Sequence, residues 1–233
     1  MKNKYLHGTH ISEVRFRYVL KLFSMDIPAL TVAALSEISI QATQRLYDRF
    51  RLRILELAVE EASPVTGEVE IDESERSGDR RSQSYFGARR VRGKRGRGAS
   101  GKTPVIGLLK RGGKVFTQIV ENCSKQELMP IIKGQVLTEA TVYTDGWKSY
   151  DGLILGGYEH HRIHHHRNQF ARGKNHVNGI ESFWSFAKLR LAKLRGIRNE
   201  YFIIHLKESE WRFNHRNDDI YSILLKNFRQ FPL

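Results

Sequence analysis

The chain has 233 residues, 40% hydrophobic and 27% charged, enough for a real core and for one large domain or two unequal ones. Its 39 basic against 25 acidic residues leave a formal charge of +14, which implies a polyanionic partner, nucleic acid foremost. A single cysteine, Cys123, excludes an internal disulfide and a multi-cysteine zinc ribbon and reads as a small packing residue. No apolar run approaches the roughly 18–20 residues needed to cross a membrane, and the N-terminus lacks an apolar signal core. A cytoplasmic, nucleoid-associated protein with no membrane partner is expected.

Residues 11 to 60 read as helical. Val14, Tyr18, Leu22 and Phe23 recur at helical spacing and end before Asp26-Ile27-Pro28. A short apolar helix spans Ala29 to Leu35, and Ser39 stands as the N-cap of a helix from Gln41 to Leu57. In that third helix Ile40, Leu46, Phe50, Ile54 and Leu57 form one stripe, while Gln41, Gln44, Arg45, Arg49 and Arg53 line the other face. A short second helix and a basic third resemble a helix-turn-helix with Arg45 and Arg49 turned to DNA; a helical cap with solvated arginines is the alternative. This module is expected over residues 1–62. Residues 63–67, Ser-Pro-Val-Thr-Gly, read as a linker, and residues 68–233 as a second domain.

From Glu68 the pattern turns to strands. The alternation Glu68-Val69-Glu70-Ile71-Asp72 predicts a first strand ending at Asp72, followed by a polar, arginine-rich insertion loop at about 74–102. Val105 to Lys110 and Val115 to Val120 flank a hairpin turn at Arg111-Gly112-Gly113-Lys114. Ser124 opens a helix through Leu128 and Ile132; Ala140 to Thr144 forms a strand ending at Asp145; and Tyr158 to His166 forms a fifth. Helices from about Asn178 to Leu194 and from Tyr201 to Phe213 close the domain. The order is that of a ribonuclease H-like α/β domain with a mixed sheet, in which acids ending the first and fourth strands lie side by side.

Three acids therefore stand out: Asp72, Asp145 and Glu181, the last in the helical run Asn178-Gly179-Ile180-Glu181-Ser182-Phe183-Trp184. Carboxylates from two strands and a helix suit hard, water-retaining cations such as Mg²⁺ or Mn²⁺, held about 3.5–4 Å apart for phosphodiester chemistry. Lys188 follows Glu181 by two helical turns, on the same face, where it can meet a DNA phosphate. Alternation in the histidine-rich segment sets His160, Arg162, His164 and His166 on one face, read as turned to phosphate or to the active site, with His164 and Asn178 as candidate supports. The basic run Arg89, Arg90, Arg92, Lys94, Arg95 and Arg97, interleaved with small residues, suits neutralisation of phosphates without reading bases; a solvated loop is the alternative.

The segments 68–73, 93–98, 105–110, 142–145 and 176–184, with Leu206-Lys207-Glu208-Ser209-Glu210-Trp211-Arg212-Phe213-Asn214, together resemble small DDE transposases of bacterial insertion sequences, the group to which Merlin elements are related, with the ISXO2-like transposase domain. The resemblance implies a ribonuclease H-like fold, Asp72, Asp145 and Glu181 as catalytic triad and metal ligands, Lys188 as the lysine after the glutamate, and a two-metal Mg²⁺ or Mn²⁺ site. It also implies cleavage at element ends, attack of the freed 3′-hydroxyl on target DNA, double-stranded DNA with terminal inverted repeats as partner, and a homo-oligomer in the synaptic complex. One departure stands out. The family's serine-tyrosine-phenylalanine-glycine stretch directly follows the aspartate-glutamate pair, but here it is Ser84-Tyr85-Phe86-Gly87, so residues 74–83 read as an insertion. A non-catalytic DNA-binding relic or regulator, and a nuclease without strand transfer, are the competing functional readings.

Overall fold

The computed structural model describes residues 3–77, 102–145, 148–163, 176–194 and 197–233. In chain order the elements are α1 (Glu13–Ser24), α2 (Ala29–Ser36), α3 (Ile40–Glu60), β1 (Glu68–Ser77), β2 (Lys102–Lys110), β3 (Val115–Ile119), α4 (Lys125–Gln135), β4 (Thr141–Asp145), α5 (Gly152–Leu155), β5 (Glu159–Ile163), α6 (Asn178–Ala192), α7 (Asn199–Asn214) and α8 (Ile220–Gln230). They divide into two compact units: Met1–Val59 with His215–Leu233, and Glu60–Asn214.

The first unit is all helical. Ser12 caps α1 by accepting from the Arg15 N–H at 3.3 Å, and Ser39 caps α3 by accepting from the Ala42 N–H at 3.2 Å. Asp26 and Glu37, both at positive φ, end the first two helices. Aromatic rings form the core: Phe16 stacks on Tyr5 with centroids 5.3 Å apart and meets Phe50 edge-on at 5.6 Å, while Phe50 lies 5.3 Å from Phe228 of α8. The buried face of α1 is accordingly Phe16, Val19, Leu20 and Phe23. The expected stripe is displaced, since Val14 is 77% and Tyr18 43% exposed. Both sets have helical spacing, and the rings brought by α3 and α8 select between them. Arg53 also departs from expectation. It donates to the Asn227 side chain at 2.7 Å and the Phe231 carbonyl at 3.0 Å and pairs with Glu56 at 2.7 Å, so it is committed inside the unit.

The second unit is built on a five-stranded sheet in the order β3-β2-β1-β4-β5. β1, β2 and β3 are antiparallel neighbours, while β4 runs parallel to β1 and β5 parallel to β4. This is the ribonuclease H-like topology. β1 is longer than its alternation suggested: it continues past Asp72 to Ser77, paired with Lys102, because β2 supplies backbone partners along its whole length. The first four residues read as insertion are thus strand. Val69, Ile71, Ile106, Leu108 and Val142 pack with Leu128 and Ile132 of α4 on one face. Val105, Leu109 and Tyr143 pack with α6 and α7 on the other.

The outer edge of β3 would leave main-chain groups bare. Helix α7 supplies them with side-chain partners instead. Asn214 accepts from the Val115 N–H at 2.7 Å and donates to its carbonyl at 2.9 Å. One turn earlier Glu210 accepts from the Thr117 N–H at 2.7 Å, and Lys207 donates to the Thr117 carbonyl at 2.8 Å.

Candidate active site

Alternation along β1 sends Val69 and Ile71 into the core under α4, and Glu70 and Asp72 to the face covered by α6 and α7. The parallel pairing of β1 with β4 ends at Ile71 opposite Thr144, so Asp72 and Asp145 are the next residues of two adjacent strands. Tyr143 lies in the α6 core, which puts Asp145, two residues on, at the same face. Helix α6 crosses that face with Glu181 in its first turn. It can come close because Gly107 stands opposite Asp72 in β2: a Cβ there would lie 2.6 Å from Trp184 Cζ2 and 2.9 Å from Ile180 Cδ1. Trp184 is therefore a core residue.

Electrostatics report the convergence. Burial pushes the Asp72 carboxyl up to about 6, the charge on Asp145 adds to the rise, and so does Glu181, while Lys188 opposes it. Asp145, Glu181 and Lys188 are thus each within electrostatic reach of Asp72. Half-buried like charges such as Asp72 and Asp145, with the exposed Glu181 acting on Asp72, are an arrangement that a cation relieves, and an all-carboxylate donor set fits Mg²⁺ or Mn²⁺. Among the described residues, no three His, Cys, Asp or Glu side chains are gathered tightly enough to enclose an ion.

Two neighbouring groups were not anticipated as contributors. Glu73 is pushed up to about 8, chiefly by burial, although the Tyr150 hydroxyl donates to it. Tyr150 belongs to the 3-10 turn Lys148–Asp151, so this bond ties the segment after Asp145 back to β1. Glu70 is fully buried and takes bonds from Arg111 Nε at 2.8 Å and the Ile180 N–H at 2.9 Å. The alternation did hold a signal for it. A strand with one apolar face must set Glu68, Glu70 and Asp72 together on the other, where each needs a partner.

The remaining expected residues divide. Arg45 and Arg49 are exposed on α3, and Asn178 is exposed at the start of α6. His160 and Arg162 point away from the acids: they pair in register with Val142 and Thr144, His160 meets the Thr144 hydroxyl at 2.8 Å, and Arg162 pairs with Asp151 at 2.6 Å. It is His161 that shares the acids' side of the sheet, stacked on Tyr143 at 5.2 Å. The reading of the histidine face as turned to the site is corrected by this register. His164, His166 and the basic run Arg89, Arg90, Arg92, Lys94, Arg95 and Arg97 lie outside the described residues. Cys123 is half-buried against the core, and burial pushes its thiol up to about 12, which suits packing rather than reactivity.

Residues 64–214 match the ISXO2-like transposase domain. The chain belongs to this transposase family. The chain is 46% identical over 101 residues to an uncharacterized transposase-like protein of Haemophilus influenzae, covering 43% of this chain and 81% of that one. It is 29% identical over 152 residues to an uncharacterized protein in transposable element ISH50 of Halobacterium salinarum, covering 63% of this chain and 52%, about half, of the relative. Among solved structures it is similar to the pre-cleavage Mos1 transpososome at 14% identity over 97% of this chain and 82% of that one. The TM-score of that likeness is 0.29, and the fold assignment rests on strand order instead. No described helix is long and apolar enough to cross a membrane.

Proposed function

We propose that the chain is a metal-dependent DDE transposase that cleaves DNA at element ends and joins the freed 3′-hydroxyl to target DNA. The observation that supports this reading is that, in a transposase-family domain, Asp72 and Asp145 follow the paired ends of adjacent strands and Glu181 and Lys188 of α6 lie within electrostatic reach of Asp72. These three carboxylates would hold the cations. Mg²⁺ or Mn²⁺ bound there supplies Lewis acidity to the attacking and leaving oxygens. Lys188 meets a non-bridging phosphate oxygen and orients the scissile bond. In the first step water attacks the phosphodiester, leaving a 3′-hydroxyl on one fragment and a 5′-phosphate on the other. In the second that hydroxyl attacks a target phosphodiester, forming one bond and releasing one target 3′-hydroxyl.

Recognition of terminal repeats falls to the helical module, with the exposed Arg45 and Arg49 on phosphates and bases. The run Arg89 to Arg97 adds sequence-independent phosphate contacts. Element ends must be brought together, so a homo-oligomer acts in the synaptic complex. We assign the helical unit that opens with residues 1–62 to DNA recognition and, of residues 68–233, those through Asn214 to the catalytic region, since His215–Leu233 pack with the helical unit.

The test uses purified protein, Mn²⁺ and a terminal-repeat duplex beside a target plasmid, scoring cleavage and joining together. Wild type should do both, and Asp145→Asn and Glu181→Gln should abolish both while keeping DNA affinity in EDTA. One observation favours a non-catalytic regulator as the second reading: the described donors do not enclose an ion. That reading predicts DNA binding indifferent to Mn²⁺ and no difference between wild type and the two variants. Cleavage without joining would instead identify a nuclease.

A further inference from the structure

We propose that Glu70 and Arg111 are positioning residues that fix the first turn of α6, and with it Glu181, against the sheet. The inference rests on the reading of Glu181 as a metal-binding carboxylate. A helix start leaves four N–H groups without intrahelical partners, and a side chain just before the helix ordinarily serves one of them. α6 has no such cap, because the residue at that position is Val177. The cap comes from another element. Glu70 of β1 accepts from the Ile180 N–H at 2.9 Å, so a carboxylate 110 residues away closes the helix and meets its positive end.

Two features show that the arrangement is built for this. Gly179 leaves room for the carboxylate: a Cβ there would lie 2.9 Å from Glu70 Oε2 and 2.7 Å from Leu109 Cδ2. Glu70, with its side chain 1% exposed, is a charge that stays buried only if strongly paired, and Arg111 Nε pairs with it at 2.8 Å. Arg111 is itself held from three sides. It lies 3.8 Å over the Tyr143 ring, bonds Glu68 at 3.3 Å, and donates to the His176 carbonyl just ahead of α6. The hairpin turn, β1, β4 and the entry to α6 are thus bound through one guanidinium. Ile180 is the residue before Glu181, so whatever fixes its amide fixes the Glu181 backbone one peptide on. Asp72 and Asp145 take their places from strand pairing; Glu181 takes its place from this bond.

The experiment compares full-length wild type with Glu70→Ala, Glu70→Gln and Arg111→Lys. Three quantities are measured: Mn²⁺ affinity by electron paramagnetic resonance, hydrogen exchange along the chain without metal, and DNA affinity in EDTA. Glu70→Ala should weaken Mn²⁺ binding about 10- to 100-fold, the usual effect of losing a group that orients a ligand. Exchange should quicken at the amides of residues 180–184 and stay unchanged in β1 to β3, with DNA affinity intact. Glu70→Gln, which keeps an acceptor for the Ile180 N–H, should recover part of both. Unaltered Mn²⁺ affinity in Glu70→Ala, or exchange that quickens equally across the sheet, overturns the proposal. If Glu70→Ala does not fold, Glu70→Gln and Arg111→Lys carry the same comparison. Equal Mn²⁺ affinity in wild type and Glu181→Gln refutes the parent reading instead; exchange confined to the start of α6 then still supports the cap.

Discussion

The acids at the centre of the site should destabilise the fold that carries them, and Asp72→Asn measures by how much. The Asp72 carboxyl stands at about 6 in the folded chain against an ordinary 3.8. At about 1.4 kcal/mol for each tenfold change, that difference corresponds to about 3 kcal/mol against the ionised form. Solvent reaching the partly exposed side chain screens some of it, leaving about 1–3 kcal/mol. The folded state holds the proton more tightly than the unfolded one, so stability from this group is fully present below about pH 4 and is lost as pH rises through about 6. The asparagine cannot ionise and escapes the loss. In EDTA at pH 8, urea denaturation should therefore find Asp72→Asn more stable than wild type by about 1–3 kcal/mol. A gain of 1 kcal/mol raises Tm by about 2–4 °C in a domain of this size. The advantage should fade below pH 6 and vanish near pH 4, and saturating Mn²⁺ should stabilise wild type much more than the variant. A variant no more stable than wild type at pH 8, or a difference that ignores pH, would refute the claim that burial, reinforced by the charges of Asp145 and Glu181, disfavours the ionised Asp72.

Three further outcomes are expected. Gly107→Ala forces a methyl group against Trp184 and Ile180, and should cost about 1–3 kcal/mol by overpacking; because the strain lifts α6 beside Asp72, cleavage should fall more than the folded fraction does, and a red-shifted tryptophan emission would report the displacement. Glu210→Ala strips the acceptor from the Thr117 N–H and hydroxyl and leaves the partly buried Lys207 without its counter-charge, a loss of about 3 kcal/mol in urea, and the bared β3 edge should promote concentration-dependent association in sedimentation. Arg45→Ala and Arg49→Ala should each reduce the slope of log affinity against log salt by about 1, whereas Arg53→Ala should lower stability and spare that slope, because Arg53 is spent on Asn227 and Phe231.

Element order and the placing of Asp72 and Asp145 at adjacent strand ends could be read from the chain because both rest on local signals. The hairpin at Arg111–Lys114, the serine caps and the change from helical to alternating spacing at Glu68 need only neighbours in sequence. What could not be read depends on partners far away. Phe16 and Val14 are equally periodic in α1, and Phe50 and Phe228 decide which is buried. Residues 73–77 show no apolar alternation, yet β2 holds them as strand. The acids Glu70 and Asp72 share a face and a chemistry. Arg111, arriving by way of the hairpin, pairs with the first, while the second lies beside the like charges of Asp145 and Glu181. The parity of the histidine strand was equally hidden, since alternation tells which residues share a face and not which face that is.

The C-terminal motif from Leu206 to Asn214 gains a physical meaning that its resemblance to the family does not supply. Its polar residues look like chemistry, but they are consumed in the frame. Lys207, Glu210 and Asn214 recur at helical spacing along α7 and meet alternate residues of β3, so three side chains stand in for the main chain of a sixth strand. Glu208, fully buried, pairs with Arg212 at 2.9 Å and with Arg190 of α6, two residues beyond Lys188. Helix α6 is therefore pinned twice, at its start by Glu70 from the sheet and near its end by Glu208 from α7. Both pins are buried carboxylates that break if either partner is lost, and such pairs contribute specificity of geometry more than net stability. Between the pins lie Glu181 and Lys188, the two site residues that no strand holds. A helix held at both ends by buried carboxylates keeps its register against the sheet, which packing by apolar contacts alone would allow to slide.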